Sequence, residues 1–488
     1  MSKEQVLFDL HLFSLCCDFL ESKDIIKHVS LCTKKWNNWI KNSKYFWKNK
    51  CMNIYSLSHL VNCHQTYPFI NELYLSYFDD FRMEKEEIEK YWPTKQTKST
   101  QFSDFRFEEV TSCSIDFRET FTEILNRFLQ IQLPKVKHLD LFYNTGPSIL
   151  EVEIRKMIQL PFEWNQLISL KLRCTWDYLE DGKIWNYLYI LRSTLKELIL
   201  NQIQLTKEII VITELEHLEK LHIEILTMED ENEEFFMNYV KEKKEDGHYY
   251  YDRKYTFYSL EDEKYPFELF PGYKLKQLIH LDLQGYATCL AKSFCSQNTR
   301  IKSPLLSLKL DYRLNHIQVI YENLSFLKHT YFHPVEDLCI SIGTRNSNHL
   351  SPIFNFENFH HLKRLSIYYV TFTDLSNSIS LLKQNYQTVT KLEIYDSNFD
   401  LKDLYLCSNL QILKISWKTE ITEVILNAIN NNLHSLKKLH VYRPQNGKDK
   451  FHLLSRNNMV AKFDLDKDQC TQEDVEYLKN LGYKVTIY

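Results

Sequence analysis

The chain has 488 residues with 60 basic and 64 acidic side chains, and its formal charge of −4 argues against a nucleic-acid module held by bulk electrostatics. Only 8 glycines and 11 prolines occur, and no GxGxxG turn, GxxxxGKS/T phosphate loop or GxSxG nucleophile elbow is present, which excludes the glycine-built nucleotide and hydrolase sites. No run approaches the ~18 apolar residues of a membrane helix. The opening MSKEQVLFDLHLFSLCCDFL lacks a basic start and is interrupted by Asp9 and Asp18, so no signal peptide is expected. The 12 cysteines form no CxxC pair, a pattern that suits reduced thiols in the cytoplasm or nucleus.

Residues 1–51 read as a small all-α module. Leu12, Leu15, Phe19 and Leu20 recur at helical spacing. Ser22 can cap a segment with Ile25 and Ile26, and a further segment carries Trp36, Trp39 and Ile40 ahead of Phe46-Trp47. This pattern resembles the F-box family in Phe19-Leu20, Asp24-Ile25-Ile26, Leu31-Cys32 with Trp36, and Phe46-Trp47. It departs at Leu7-Phe8-Asp9, where that family has Leu-Pro. The resemblance implies a Skp-type adaptor as partner, contacted by Leu12, Phe19, Leu20, Ile25, Ile26, Trp36 and Trp47. The lysines between these aromatics, Lys34, Lys35, Lys41, Lys44, Lys48 and Lys50, read as solvated helix faces rather than an RNA site.

Residues 52–130 are expected to form a linker and helical transition, with a lone triplet Ile70-Leu73-Leu75. From 131 to 488 an apolar triplet L-x-x-L-x-L recurs, from Val136-Leu139-Leu141 through Leu436-Leu439-Val441, with a weaker last copy at Val460-Phe463-Leu465. The third anchors at 141 and 223 are three repeats apart, about 27 residues each, and those at 283 and 465 are seven apart, 26 each. The last two anchors of a triplet point to one face of a short strand, and stacked neighbours must supply the core that no single repeat can form. This resembles the leucine-rich repeat family. The resemblance implies an α/β solenoid with a parallel sheet on its concave face, although the family's asparagine three residues after the third anchor occurs only as Asn144. Thr422–Asn430 reads as an amphipathic return helix. Thr471-Gln-Glu-Asp474 and Val485-Thr-Ile487 read as a capping helix start and a final strand.

An acidic and tyrosine-rich insertion is expected at about 224–277, as a solvated loop or as one presenting tyrosines to a partner. Strand alternation places Phe142, Lys171, Arg173, Lys309, Asp311, Tyr368, Tyr395, His440 and Tyr442 on the concave face, with Asp140, Asp282, Glu393 and Lys414 among them. Mixed charge interleaved with tyrosine suits protein recognition.

No HExxH pair or four-ligand cluster occurs, so neither catalysis, a metal nor a cofactor is expected. An F-box-like start followed by leucine-rich repeats is the order found in substrate-recruiting subunits of cullin–RING ubiquitin ligases. The expected function is therefore a non-catalytic subunit that docks a Skp-type adaptor and cullin complex and binds a protein substrate, without nucleic acid or membrane. The alternative is a leucine-rich repeat interaction scaffold with no ligase role.

Overall fold

The computed structural model describes residues 51–54, 56–66, 69–77, 103, 105–118, 125–126, 128–144, 161, 163–174, 183–205, 207–228, 274–291, 294, 305–312, 335–342, 359–370, 382–397, 399–416, 419–444, 450–455 and 458–488. The adaptor-facing residues expected in 1–51, and most of the expected insertion, lie outside them. The chain divides into two compact units, the first formed by 1–203 and 207–218 and the second by 204–206 and 219–488.

The first unit carries β1 (Cys51–Ile54), α1 (Leu57–Thr66), β2 (Glu72–Tyr77), β3 (Ser112–Arg118), β4 (His138–Asn144), β5 (Ser169–Cys174), α2 (Lys183–Ile190) and β6 (Glu197–Leu205). Each strand pairs in parallel with the next. The ladder thus begins well before residue 131, which corrects the expectation of a linker over 52–130. Met52 and Ile54, Leu73 and Leu75, and Cys113 and Ile115 fill the same buried rows as Leu139 and Leu141. Two of these anchors are Met and Cys, apolar side chains that pack as core without being leucine.

The second unit carries β7 (Lys220–Met228), β8 (His280–Gly285), β9 (Ser307–Asp311), β10 (Asp337–Ser341), β11 (Arg364–Tyr368), β12 (Lys391–Tyr395), β13 (Ile412–Ser416), α3 (Glu423–Asn431), β14 (Lys438–Tyr442), β15 (Val460–Leu465), α4 (Gln472–Asn480) and β16 (Lys484–Ile487). All of its pairings are parallel. β7 runs on to Met228, so the strand continues past the expected start of the insertion at 224.

The inward rows are almost wholly dry. Leu365, Leu392, Leu413 and Leu439 form one row, and Ile367, Ile394, Ile415 and Val441 form the next. β-branched residues suit the second row because they pack on a pleated surface. Each such side chain contributes roughly 1.5–3 kcal/mol by leaving water, which it can do only when neighbouring strands stack.

The last copy of the repeat is set differently from the expected triplet. Ala461 and Phe463 pair with Leu439 and Val441, and Val460 is 73 % exposed. The anchors therefore shift by two residues. A two-residue shift keeps every side chain on its expected face, whereas a shift of one would invert them.

One junction recurs where most of the strands begin. A carbonyl of the preceding repeat accepts two successive N–H groups: Thr111 from Lys137 and His138, Lys363 from Thr390 and Lys391, and Gln411 from Lys437 and Lys438. The expected return helix is α3, capped by Thr422, whose hydroxyl accepts from the Ile425 N–H at 3.3 Å. α4 starts in a capping box in which Thr471 Oγ1 accepts from Asp474 N (3.1 Å) and Asp474 Oδ2 accepts from Thr471 N (3.0 Å).

At the ends of the strands, Gly285, Tyr369, Asp396 and Arg443 share one register position and all have positive φ, between 44° and 62°. Three of the four are not glycine, and a left-handed conformation costs an L-residue about 1 kcal/mol or more. Tyr369 is 42 % exposed, so its side chain contributes little burial against that cost. Tyr369→Gly is therefore expected to stabilise the second unit by about 1 kcal/mol, read as a higher urea midpoint. Gly482 closes α4 at φ 83° with no atom near the position of a Cβ, so Gly482→Ala is expected to cost a similar amount through backbone strain alone. Equal midpoints for wild type and both variants would contradict this account.

Candidate functional site

Alternation leaves one face of each strand towards solvent, and parallel register lines those side chains up in rows running across the strands. In the first unit the rows are polar and mutually paired. Tyr74 donates its hydroxyl to Asp116 (3.0 Å), and Arg173 grips Asp140 through Nε (3.0 Å) and a second guanidinium nitrogen. The Arg173 guanidinium also lies over the Phe142 ring at 5.7 Å. Ser169 donates to Glu197 (2.6 Å), and Lys171 Nζ lies 3.6 Å from the same carboxylate.

In the second unit three clusters follow one another along the face. Asp282 receives His222 Nδ1 and Lys309 Nζ, each at 2.9 Å, and Gln284 Nε2 at 3.2 Å. Burial would raise this carboxyl, but the hydrogen bonds and charges of His222 and Lys309 outweigh it and hold it below the ordinary carboxylate range. Cys339 follows, its thiol pushed up to about 12 by burial, which leaves it protonated and unsuited to act as a nucleophile.

The second cluster centres on Glu393. Its Oε1 lies 2.6 Å from Lys414 and 3.2 Å from Lys391, and its Oε2 accepts from Ser366 (3.0 Å) and Tyr368 (3.1 Å). The Tyr368 ring stacks on Tyr395 at 5.0 Å and 7°. Here too burial would raise the carboxyl, and the hydrogen bonds from Lys414, Lys391 and Ser366 bring it below the usual range. Burial first, then the neighbouring Glu393 charge, push the Tyr368 hydroxyl upward.

The third cluster is built on Asp464, whose side chain is 1 % exposed. It accepts from Lys462 and pairs with His440 Nε2 at 2.9 Å. Hydrogen bonds from Lys462, His440 and Thr486 overcome its burial and hold this carboxyl low. Beside it, Arg443 covers the ring faces of Tyr488 (4.4 Å) and Tyr442 (5.5 Å) and pairs with Asp466 at 3.2 Å.

Phe142, Lys171, Arg173, Lys309, Tyr368, Tyr395, His440 and Tyr442 thus all lie on the solvent-facing rows. Asp311 shares their row position but is only 4 % exposed, so the expectation that it lines an open surface is corrected. Arg364, Lys391 and Lys438 went unrecognised in the sequence. They precede the second anchor, and the same period-two rule, carried one step further towards the start of the strand, would have found them.

A hollow of about 600 Å³ in the first unit is lined by Arg106, Gln132, Leu133, Pro134, Pro161 and Trp164, among others. Its guanidinium is held by Glu108 (2.6 Å) and Gln132 (3.1 Å). Among the described residues no three His, Cys, Asp or Glu side chains converge to hold a metal ion, and no helix is long and apolar enough to cross a membrane.

Parallel strand-and-turn repeats with paired charges on their solvent side define an α/β repeat protein. No family model matches the chain, and no curated protein is similar to it.

Proposed function

We propose that the chain is a leucine-rich repeat protein acting as the substrate-recognition subunit of a cullin–RING ubiquitin ligase. Its F-box-like N-terminal segment docks a Skp-type adaptor, and the solvent-facing rows bind a protein substrate. The observation that carries the binding half is the row of tyrosines, arginine and paired charges across the parallel strands, the composition in which aromatic and arginine side chains dominate protein recognition. The ligase half rests on the resemblance of Phe19-Leu20, Ile25-Ile26, Trp36 and Trp47 to the adaptor-contacting family pattern. The chain supplies no catalytic group in this reading; the partner ligase brings the activated ubiquitin to the captured substrate.

Co-expression of the full chain with a Skp-type adaptor is expected to give a stable complex on size exclusion, lost in the Trp36→Ala/Trp47→Ala variant. Failure of the well-folded wild-type chain to retain the adaptor would leave a repeat scaffold with no ligase role.

A further inference from the structure

The charge on the solvent-facing rows of the second unit changes sign part-way along. Over β7–β10 the three outward positions of each strand hold two lysines, Lys220 and Lys309, against four carboxylates, Glu224, Asp282, Asp311 and Asp337. Over β11–β16 they hold six cations, Arg364, Lys391, Lys414, Lys438, Lys462 and Lys484, against two carboxylates, Glu393 and Asp464. Depth sharpens the contrast. The side chains of Glu393 and Asp464 are 6 % and 1 % exposed, while their partners Lys414 and Lys462 are 36 % and 40 % exposed. The anions lie beneath the cations, so an approaching molecule meets positive charge. Lys438 and Lys484 are exposed and belong to no ion pair among the described residues.

We propose that the solvent-facing side of β11–β16 binds an acidic, extended segment of a partner protein. This deepens the protein-binding part of the reading above and does not depend on its ligase part. Six strands about 4.8 Å apart span about 24 Å, which an extended segment of about seven residues crosses. Charge complementarity selects carboxylate side chains. One feature favours a peptide over a nucleic acid. Single-stranded nucleic acid needs free aromatic faces for its bases, but Tyr368 and Tyr395 stack on each other, and Arg443 lies over Tyr442 and Tyr488.

The test uses the full chain and a fluorescein-labelled twelve-residue peptide of alternating Glu and Ser, with a Gln/Ser peptide and a twelve-nucleotide oligouridine as comparisons. Anisotropy is expected to show binding of the Glu peptide only, weakening several-fold from 50 to 300 mM salt. Lys438→Glu/Lys484→Glu is expected to weaken it at least tenfold and Lys438→Gln/Lys484→Gln by less, while Lys220→Glu leaves it unchanged. Equal binding of the Glu and Gln peptides, an unchanged affinity in the Lys438→Glu/Lys484→Glu chain, or tighter oligouridine binding that displaces the peptide would each overturn the proposal. Peptide binding without adaptor retention removes the ligase reading alone, and adaptor retention without peptide binding removes this inference alone.

Discussion

Replacing Asn385 by alanine is expected to destabilise the second unit by about 3 kcal/mol. The side chain is 1 % exposed and acts as a two-pronged clamp on the turn that leads into β11. Its Nδ2 donates to the Phe359 carbonyl at 2.8 Å, and its Oδ1 accepts from the Leu362 N–H at 2.9 Å. Alanine leaves one buried carbonyl and one buried N–H without these partners, each at a cost of about 1–3 kcal/mol. Leu362, Leu365 and Ile367, the anchors that this turn positions, are themselves fully buried, so the loss reaches the core. Asn409→Ala is the matched control. It removes a single bond to the Gln387 carbonyl (2.8 Å) from an exposed site and is expected to cost less than about 1 kcal/mol. Urea unfolding followed by circular dichroism compares the two, and equal losses would show that the clamp is not what holds this turn.

Asn385 also marks where sequence reading stops. The inward rows were legible because Leu392 and Ile394, or Leu413 and Ile415, repeat a spacing that only stacked strands explain. The first strands were less legible because Met52 and Cys113 break the leucine pattern while remaining apolar core side chains. The turn polar groups were not legible at all. At the position where the repeat resemblance expects asparagine stands Ser397, fully buried, whose hydroxyl accepts from the Val370 N–H (2.9 Å) and donates to the Tyr395 carbonyl (2.8 Å). Thr419 then donates to the Ser397 carbonyl at 2.9 Å. Short hydroxyl side chains do the work of the missing amides, and serine in a turn carries no signal that separates such a role from an ordinary one.

The charge pattern was hidden for a different reason. A formal charge of −4 over the whole chain conceals a face on which β7–β10 and β11–β16 carry opposite signs. Alternation identified which side chains face solvent, but only the register shows that Lys414, His440, Lys462 and Lys484 are neighbours. Which charges are presented and which are submerged depends on side-chain length. The shorter Glu and Asp carboxylates sit low on the sheet, and lysine stems lift their ammonium groups above them.

That layering makes the second unit sensitive to acid, and the sign follows from the carboxylates. Glu393, Asp464 and Asp282 are each held below the ordinary carboxylate range in the folded chain by the hydrogen bonds and cations described above. In the unfolded chain they titrate near about 4.3 for Glu and 3.9 for Asp. Above those values both states are ionised and the stabilisation is fully present. As the pH falls below them the unfolded chain takes up protons first, and the stabilisation drains away until the folded carboxyls also protonate. Glu393→Gln is expected to cost about 2 kcal/mol at pH 7, less than the 3–5 kcal/mol typical of a fully buried pair because Lys414 and Lys391 remain about a third exposed. The gap between wild type and Glu393→Gln should hold steady from pH 7 to 5 and close as the pH falls below about 4.3. Urea midpoints at pH 7, 5, 4 and 3 measure it. A gap that persists unchanged at pH 3 would mean that packing of the Glu393 side chain, not its charge, stabilises this face.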